Sequence, residues 1–498
     1  MGIELLLDMA VEGHRDRVAL SSGSSDFTYG ELQRLARGAA AVAAAHGARQ
    51  LATIAVTGPL LPVSLFGAAY AGLPLTPLNY RLAAEQLREL LSTMEQPLVV
   101  VDPEFLPVVE GWDALSTEEF LRQATEVAPV EGGWNDDSSA AVILFTSGTT
   151  SRPKGVLLSH GNLSSYVLST VEFGAAGADE CQLITVPPYH IAGVSSALTS
   201  VYSGRRVCYL PQFTAADWLA AARTHRVTSA MVVPTMLARL TEHLGDASAD
   251  VPSLRSIAYG GARMPRPVLE RALSAFAGVA FTNAYGLTET SSTIAVLGPE
   301  DHRSAFESSV PAVRARLGSA GRAVPGVEIA IRDDTGALQG VATVGEVVVR
   351  GPQVSGVYVG SGSVLDADGW FATKDRGWLD REGYLFIEGR QDDTIIRGGE
   401  NIAPAELEDV LVTHPGVRET AVIGVPDEEW GERLVAVVVA ETNWTPDAEE
   451  LRDFVRSRLR GSRTPDEVTF VAELPYTATG KLLRRALVEA FKPEASAL

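Results

Sequence analysis

Thr146-Ser147-Gly148-Thr149-Thr150-Ser151-Arg152-Pro153-Lys154-Gly155 gathers five hydroxyls, two glycines and a lysine into ten residues. Glycines let backbone N–H groups come close to a phosphate, and hydroxyls and an ammonium add donors and charge. The stretch reads either as a phosphate cradle or as an ordinary polar turn. It is not a Walker A loop, which needs Gly, four residues and then Gly-Lys-Ser/Thr. Here Lys154 precedes the glycine, so a P-loop kinase or GTPase is disfavoured. Further on, Tyr259-Gly260-Gly261-Ala262-Arg263 pairs two glycines, which permits either close backbone approach or a tight turn.

These residues need elements to hold them. An apolar run at 140–145 precedes the hydroxyl-rich loop and reads as a buried strand. From residue 50 to about 290, short apolar runs alternate with amphipathic stretches. Examples are 229–233 followed by a helix through 240, then 256–259 followed by a helix over 267–276, then 279–283. That alternation predicts parallel strands with crossover helices, where ligands gather at the carboxyl ends of the strands. From about 310 to 389, valine- and glycine-rich segments at 327–332, 345–350 and 383–388 predict a small β subdomain. Beyond 393 a compact α+β pattern follows: strand 394–397, helix 404–413, strands near 421–425 and 434–440, and helix 447–459. The fold class is therefore α/β. A large domain over 1–390 has mixed α/β layers and a β subdomain, and a small α+β domain spans 394–498, with the boundary at 391–393.

Length and charge narrow the function. At 498 residues the chain exceeds one ordinary core. Hydrophobic residues at 46% and charged residues at 21% fit a globular enzyme. Cys181 and Cys208 are too few for a disulfide framework and read as buried hydrophobes in a cytoplasmic protein. The N-terminus lacks a signal-peptide pattern, and Leu6 stands where myristoylation wants Ser or Thr. The apolar span 51–78 is punctuated by Pro59, Pro62, Gly67, Gly72, Pro74 and Pro77, so strand, loop and buried helix fit better than a membrane span. A net charge of −21 argues against nucleic-acid and anionic-membrane partners.

The 146–155 string resembles the phosphate loop of the acyl-adenylate-forming superfamily, with Ser151 where that family usually has glycine. Five more motifs follow in family order: Tyr259–Arg263 as an adenine-lining segment, Asn283-Ala284-Tyr285-Gly286-Leu287-Thr288-Glu289-Thr290, Trp370-Phe371-Ala372-Thr373-Lys374-Asp375-Arg376-Gly377, Gly389-Arg390-Gln391-Asp392-Asp393, and the terminal Leu474–Arg485 segment. The resemblance runs from the Phe27-Thr28-Tyr29 region to Arg485. It implies ATP held by Thr146, Ser147, Gly148, Thr149, Thr150 and Lys154, with Gly261, Ala262, Asn283, Ala284, Tyr285 and Gly286 around adenine. Thr288 would meet the α-phosphate, Asp375 and Arg390 the ribose, and Thr146 and Glu289 a Mg²⁺ ion. Lys481 would bridge the acid's carboxylate and the α-phosphate. Because the net charge repels anions, although exposed charges are screened beyond ~8 Å at physiological salt, binding must rest on local cations, for which Lys154, Arg390, Arg397 and Lys481 are candidates.

Pro187-Pro188-Tyr189-His190 resembles the acyl-pocket segment, which implies a pocket of His190, Val194, Met236, Gly260 and Gly286. His190 is there a candidate catalytic residue beside Lys481, Glu289 and Thr146. Amino-acid-activating relatives usually place Asp in that segment, and none occurs between Glu180 and Tyr209, so a fatty or aromatic acid is expected. The resemblance also implies rotation of the C-terminal lid about Asp392. Gly398, Gly399 and Trp430 would then face coenzyme A. However, Gly461-Ser462-Arg463-Thr464-Pro465-Asp466-Glu467 departs from the CoA-ligase pattern: Ser462 cannot stack on adenine, the acids repel a 3′-phosphate, and Arg463 compensates in part. The reading is an acid–CoA ligase, with a phosphopantetheine carrier protein as the alternative acceptor. A non-catalytic nucleotide-binding paralogue and a luciferase-like oxygenase are the readings from other classes. The expected assembly is a monomer or homodimer.

Overall fold

The computed structural model describes residues 1–22, 25–146, 153–427, 429–459, 461–477 and 480–491. Two large sheets dominate. In one, six parallel strands run in the order Ala280–Leu287, Ser256–Gly260, Ser229–Val232, Cys181–Ile184, Arg206–Tyr209, Val18–Ser22. Antiparallel strands complete both edges: Ser292–Leu297 and Arg322–Ala323 on one side, Ser25–Thr28 on the other. In the second sheet, Ala114–Ser116, Pro97–Val101, Gln50–Ile54, Leu75–Pro77 and Ala140–Thr146 are parallel. Ala140–Thr146 then turns back as the antiparallel strand Lys154–Ser159, which pairs with Val357–Tyr358.

Over residues 50–290 the expected parallel α/β pattern is therefore interrupted twice, and each interruption falls on a motif. Both Ala140–Thr146 and Ala280–Leu287 are parallel to one neighbour and antiparallel to the other. The second strand also runs on through Leu287 rather than stopping near residue 283. Pairing with Ser292–Leu297 satisfies the backbone groups that would otherwise end it.

Helix Leu60–Tyr70 has all its residues buried and lies in the core shared with helices Glu4–His14, Tyr29–Ala45 and Ile191–Ser203. A helix apolar on every side must sit inside a layer rather than on a surface. Pro59 and Gly72 bound it, which resolves the 51–78 span into strand, helix and strand. Among the described residues, no helix is long and apolar enough to cross a membrane.

The β subdomain is an antiparallel sheet of Glu328–Arg332, Gly345–Arg350, Phe371–Leu379 and Leu385–Arg390. Trp378 stacks on its cross-strand partner Phe386 at 4.2 Å, and beyond an irregularity between Arg376 and Gly377 the same pair of strands sets Asp375 opposite Arg390. A 3₁₀ turn, Gln391–Asp393, follows. Beyond it the hairpin Ile395–Arg397/Glu400–Ile402 and the sheet Val417–Asp427, Gly431–Ala440, Glu467–Phe470 pack with helices Pro404–Leu411 and Ala448–Arg456 around a core of their own.

Candidate active site

Asp375 is the best-defined polar centre. It sits almost fully buried on strand Phe371–Leu379 and accepts from the Tyr285 hydroxyl at 2.5 Å and from Arg390 Nη1 at 3.1 Å. Its own N–H donates to Thr373 Oγ1, and that hydroxyl donates to Val347 O. Burial pushes the Asp375 carboxyl above the ordinary aspartate value, while Arg390, Tyr285 and Lys481 pull the other way. Burial, and next the Asp375 charge, holds the Tyr285 phenol well above its usual range, so it stays a donor. Lys374, beside this centre, is exposed and has φ +62°, the left-handed region. Glycine adopts that conformation with less strain than lysine.

Asn283 lies two residues before Tyr285 and donates Nδ2 to Ser319 O at 3.0 Å. With Nδ2 donating there, the carbonyl oxygen is the acceptor the same side chain offers to an exocyclic amine. Gly286 faces its neighbour strand so closely that a Cβ would stand 1.8 Å from Ser292 O, and at Gly260 it would stand 2.2 Å from Ala284 O. Both glycines are needed by the sheet itself. Gly261 has φ +82° at the turn after its strand, with Ala262 next to it.

A second centre forms around Glu289. Thr288 opens the single 3₁₀ turn Thr288–Thr290 that holds it. Glu289 Oε1 accepts from the Tyr358 hydroxyl at 2.9 Å, and Lys154 Nζ stands 5.8 Å from the centre of the same ring. Thr146 and Lys154 face each other across the end of the hairpin, with Thr146 Oγ1 donating to Lys154 O at 3.5 Å. Ser147, Gly148, Thr149 and Thr150 lie outside the described residues. One carboxylate beside a hydroxyl suits Mg²⁺, which takes one or two carboxylates and completes its shell with phosphate oxygens and water. Among the described residues there is no group of three or more His, Cys, Asp or Glu able to hold a metal alone.

His190 occupies the position before helix Ile191–Ser203, its ring 4.7 Å from Tyr189, which in turn packs edge-on to Tyr80 at 5.6 Å. Burial lowers the imidazole to about 4, so it is neutral at physiological pH. Among the described residues the buried Tyr189 hydroxyl has no hydrogen-bond partner. Val194 is fully buried in the same helix, and Met236 accepts at its sulfur from Thr185.

The Lys481 side chain is exposed, and its charge is the weakest of the pulls felt by the Asp375 carboxyl. Gly480 packs on Val233 and Thr235 of the large region. Asp392 is exposed in the turn Gln391–Asp393. Gly398 and Gly399 have φ +57° and +83°, and the Gly398 N–H donates to Trp430 O. Arg397 lies over the Trp430 ring at 4.7 Å and pairs with Asp466 at 2.6 Å, so it is not a free cation for nucleotide. Arg463, expected to offset the acids around it, is instead committed to Glu406 at 2.7 Å and Glu400 at 3.0 Å, and Glu467 pairs with Arg433.

Sequence reasoning did not find Tyr358, Ser319 or Tyr80, whose partners lie far away along the chain. An aromatic near residue 358 carried no motif to mark it.

Comparison with known proteins places this geometry. Residues 7–359 match the AMP-binding enzyme family and residues 406–481 match the AMP-binding enzyme C-terminal domain. An indoleacetate–CoA ligase of Aromatoleum aromaticum is 33% identical over 94% of this chain and 93% of its own. A fatty acid–[acyl-carrier-protein] ligase of Streptomyces coeruleorubidus is 33% identical over 86% of this chain and 84% of its own. The o-succinylbenzoate CoA synthetase of Bacillus subtilis, solved with its acyl-adenylate intermediate, superposes with a TM-score of 0.84 at 30% identity, covering 97% of each chain. The chain belongs to the AMP-binding enzyme family and is an acyl-adenylate-forming ligase.

Proposed function

We propose that the protein is an ATP-dependent acid–CoA ligase acting on an aromatic or fatty carboxylic acid. The observation that carries this reading is the buried Tyr285–Asp375–Arg390 centre, whose carboxyl also feels the charge of Lys481 from the C-terminal region. Asp375 and Arg390 suit ribose hydroxyls, and Asn283 suits the adenine amino group. Lys154 and Thr146 flank residues 147–153, where phosphates would lie. Glu289 and Thr146 would hold Mg²⁺, which neutralises phosphate charge.

A carboxylate oxygen of the acid attacks the α-phosphorus, the bond to the β-phosphate oxygen breaks, and pyrophosphate leaves. Lys481, a compact cation, aligns the two anions and stabilises charge as it develops. In the second half-reaction the thiol sulfur of CoA attacks the acyl carbon, AMP departs and the thiol proton goes to solvent. The neutral His190 with Tyr189 and Tyr80 supports an uncharged, aromatic acyl group rather than a second carboxylate. A cytoplasmic monomer or homodimer is part of the same proposal, as is a lid over 394–498 that turns about Asp392.

One observation favours a second reading, transfer to a carrier protein's phosphopantetheine. Arg397 and Arg463 are already paired with Asp466, Glu400 and Glu406, which leaves less cation for a CoA 3′-phosphate. Acid-dependent ATP–pyrophosphate exchange across an aromatic and fatty panel, followed by addition of CoA or holo carrier protein, tests both. Exchange followed by acyl-CoA is expected. No exchange with any acid would overturn the ligase reading, and thioester formed only on the carrier would overturn the choice of CoA.

A further inference from the structure

The second centre holds a residue that the proposed chemistry has not yet used. Tyr358 is half-buried on the short strand Val357–Tyr358, and its surroundings pin it on several sides. Its backbone pairs with Val156 of the strand that begins at Lys154, and the next N–H, Val359, donates to Gly155 O at 2.8 Å. The Ser355 N–H donates to the backbone carbonyl of Glu289 at 2.8 Å, while the Ser355 hydroxyl donates to Leu157 O. One segment is thus tied to both the phosphate hairpin and the 3₁₀ turn of Glu289. From that frame the phenol reaches Glu289 Oε1 and the ring underlies Lys154 Nζ.

We infer that Tyr358 is a positioning residue for the metal–phosphate end of the site, its hydroxyl orienting the Glu289 carboxylate and its ring steadying Lys154. The inference rests on the adenylating reading above. A hydroxyl donating to Oε1 stops the carboxylate from rotating and leaves Oε2 as the oxygen available to a cation. That arrangement favours one-oxygen ligation in a regular octahedral shell, which Mg²⁺ requires. It disfavours the two-oxygen chelation that the larger Ca²⁺ accepts. The face of the ring attracts the ammonium by its quadrupole, a weaker contribution at this partly open position.

Two substitutions separate these roles. Tyr358→Phe removes the hydroxyl and keeps the ring; Tyr358→Leu removes both. The readout is equilibrium binding of ATP by calorimetry, titrated with EDTA, Mg²⁺ or Ca²⁺, alongside melting temperature as a check on folding. For Tyr358→Phe, metal-free ATP binding should stay within about twofold, while the Mg²⁺ concentration for half-maximal ATP binding rises about tenfold, as expected for losing a bond to a charged group. The preference for Mg²⁺ over Ca²⁺ should narrow. Tyr358→Leu should in addition weaken metal-free ATP binding by about threefold, the size of a partly exposed cation–π contact. An unchanged Mg²⁺ requirement in a folded Tyr358→Phe protein would overturn the inference. Failure of the unsubstituted protein to bind ATP more tightly with Mg²⁺ would instead overturn the adenylating reading beneath it.

Discussion

Asp375 pays for its usefulness in stability. Its carboxyl is raised by burial, so the ionised form is held in the fold at a cost near neutral pH. A carboxyl raised in the folded state contributes stability that is fully present below its unfolded value and lost as pH climbs through the raised one. Asp375→Asn should therefore raise the melting temperature at pH 7, with the gain shrinking as the pH falls through the aspartate range. The same variant should weaken ATP binding about 10- to 100-fold, the cost of losing charge-assisted bonds to ribose. Calorimetric scans from pH 4 to 8 with paired ATP titrations check both signs; a lower melting point at pH 7 would show that the Arg390 pairing outweighs burial. Lys481→Ala isolates the opposite partner. Acyl-AMP formation should fall by at least about 10²-fold, the usual cost of removing a transition-state charge contact. Thioester formation from supplied acyl-AMP should be largely spared, and equal loss of both steps would remove the role given to Lys481. Asn283, Tyr285, Asp375, Arg390 and Lys481 could all be picked from the sequence because each sits in a spaced motif. Ser319 and Tyr358 could not, because a single carbonyl or phenol acquires its meaning only from a partner dozens of residues away.

At the scale of elements, the apolar runs were legible but their pairing was not. A run such as 140–145 is equally apolar whether its neighbour is parallel or antiparallel. What decides is the strand beyond the turn: Lys154–Ser159 folds straight back, and so does Ser292–Leu297. The extension of Ala280–Leu287 through the adenine motif depends on this return strand. Gly286 lies at an irregularity in the register, where a Cβ would stand 1.8 Å from Ser292 O. Gly286→Ala would drive a Cβ into the Ser292 carbonyl, and neither backbone can yield without unpairing the hairpin. A loss of about 3 kcal/mol is expected, with ATP affinity falling because Tyr285 shifts. Gly133→Ala, where a Cβ meets nothing within 4 Å, is the control and should leave the melting point unchanged. Similar effects from both substitutions would refute the tight-approach argument.

Across the whole molecule, charge is partitioned by type. Of 41 basic residues only four are lysines, and three of them, Lys154, Lys374 and Lys481, lie in the nucleotide motifs. The arginines are largely spent on ion pairs such as Arg397–Asp466 and Arg484–Glu408, which suit a planar fork. A compact ammonium is what a crowded phosphate site can accept, and Lys481 must be carried there from the C-terminal region. The contacts that hold that region against the large one include the ion pair Arg263–Asp409, and Gly480 seated on Thr235 and Val233. The ion pair joins two partly exposed side chains and contributes little on its own. Gly480 is the stricter contact. It has φ +71°, and a Cβ there would lie 2.4 Å from Thr235 Oγ1 and 3.2 Å from Val233 Cγ2. Gly480→Ala therefore faces both backbone strain and a collision, and both are relieved by lifting the terminal segment away. Lifting it withdraws Lys481 while leaving every side chain of the site intact. Acid-dependent pyrophosphate exchange should fall by about 10²-fold, the cost of misplacing a catalytic group by an ångström or so. Thioester formation from supplied acyl-AMP should change little, because the proposed lid turns before that step. Parallel single-turnover assays of the two half-reactions decide the matter: equal losses in both would mean that Gly480 serves only folding.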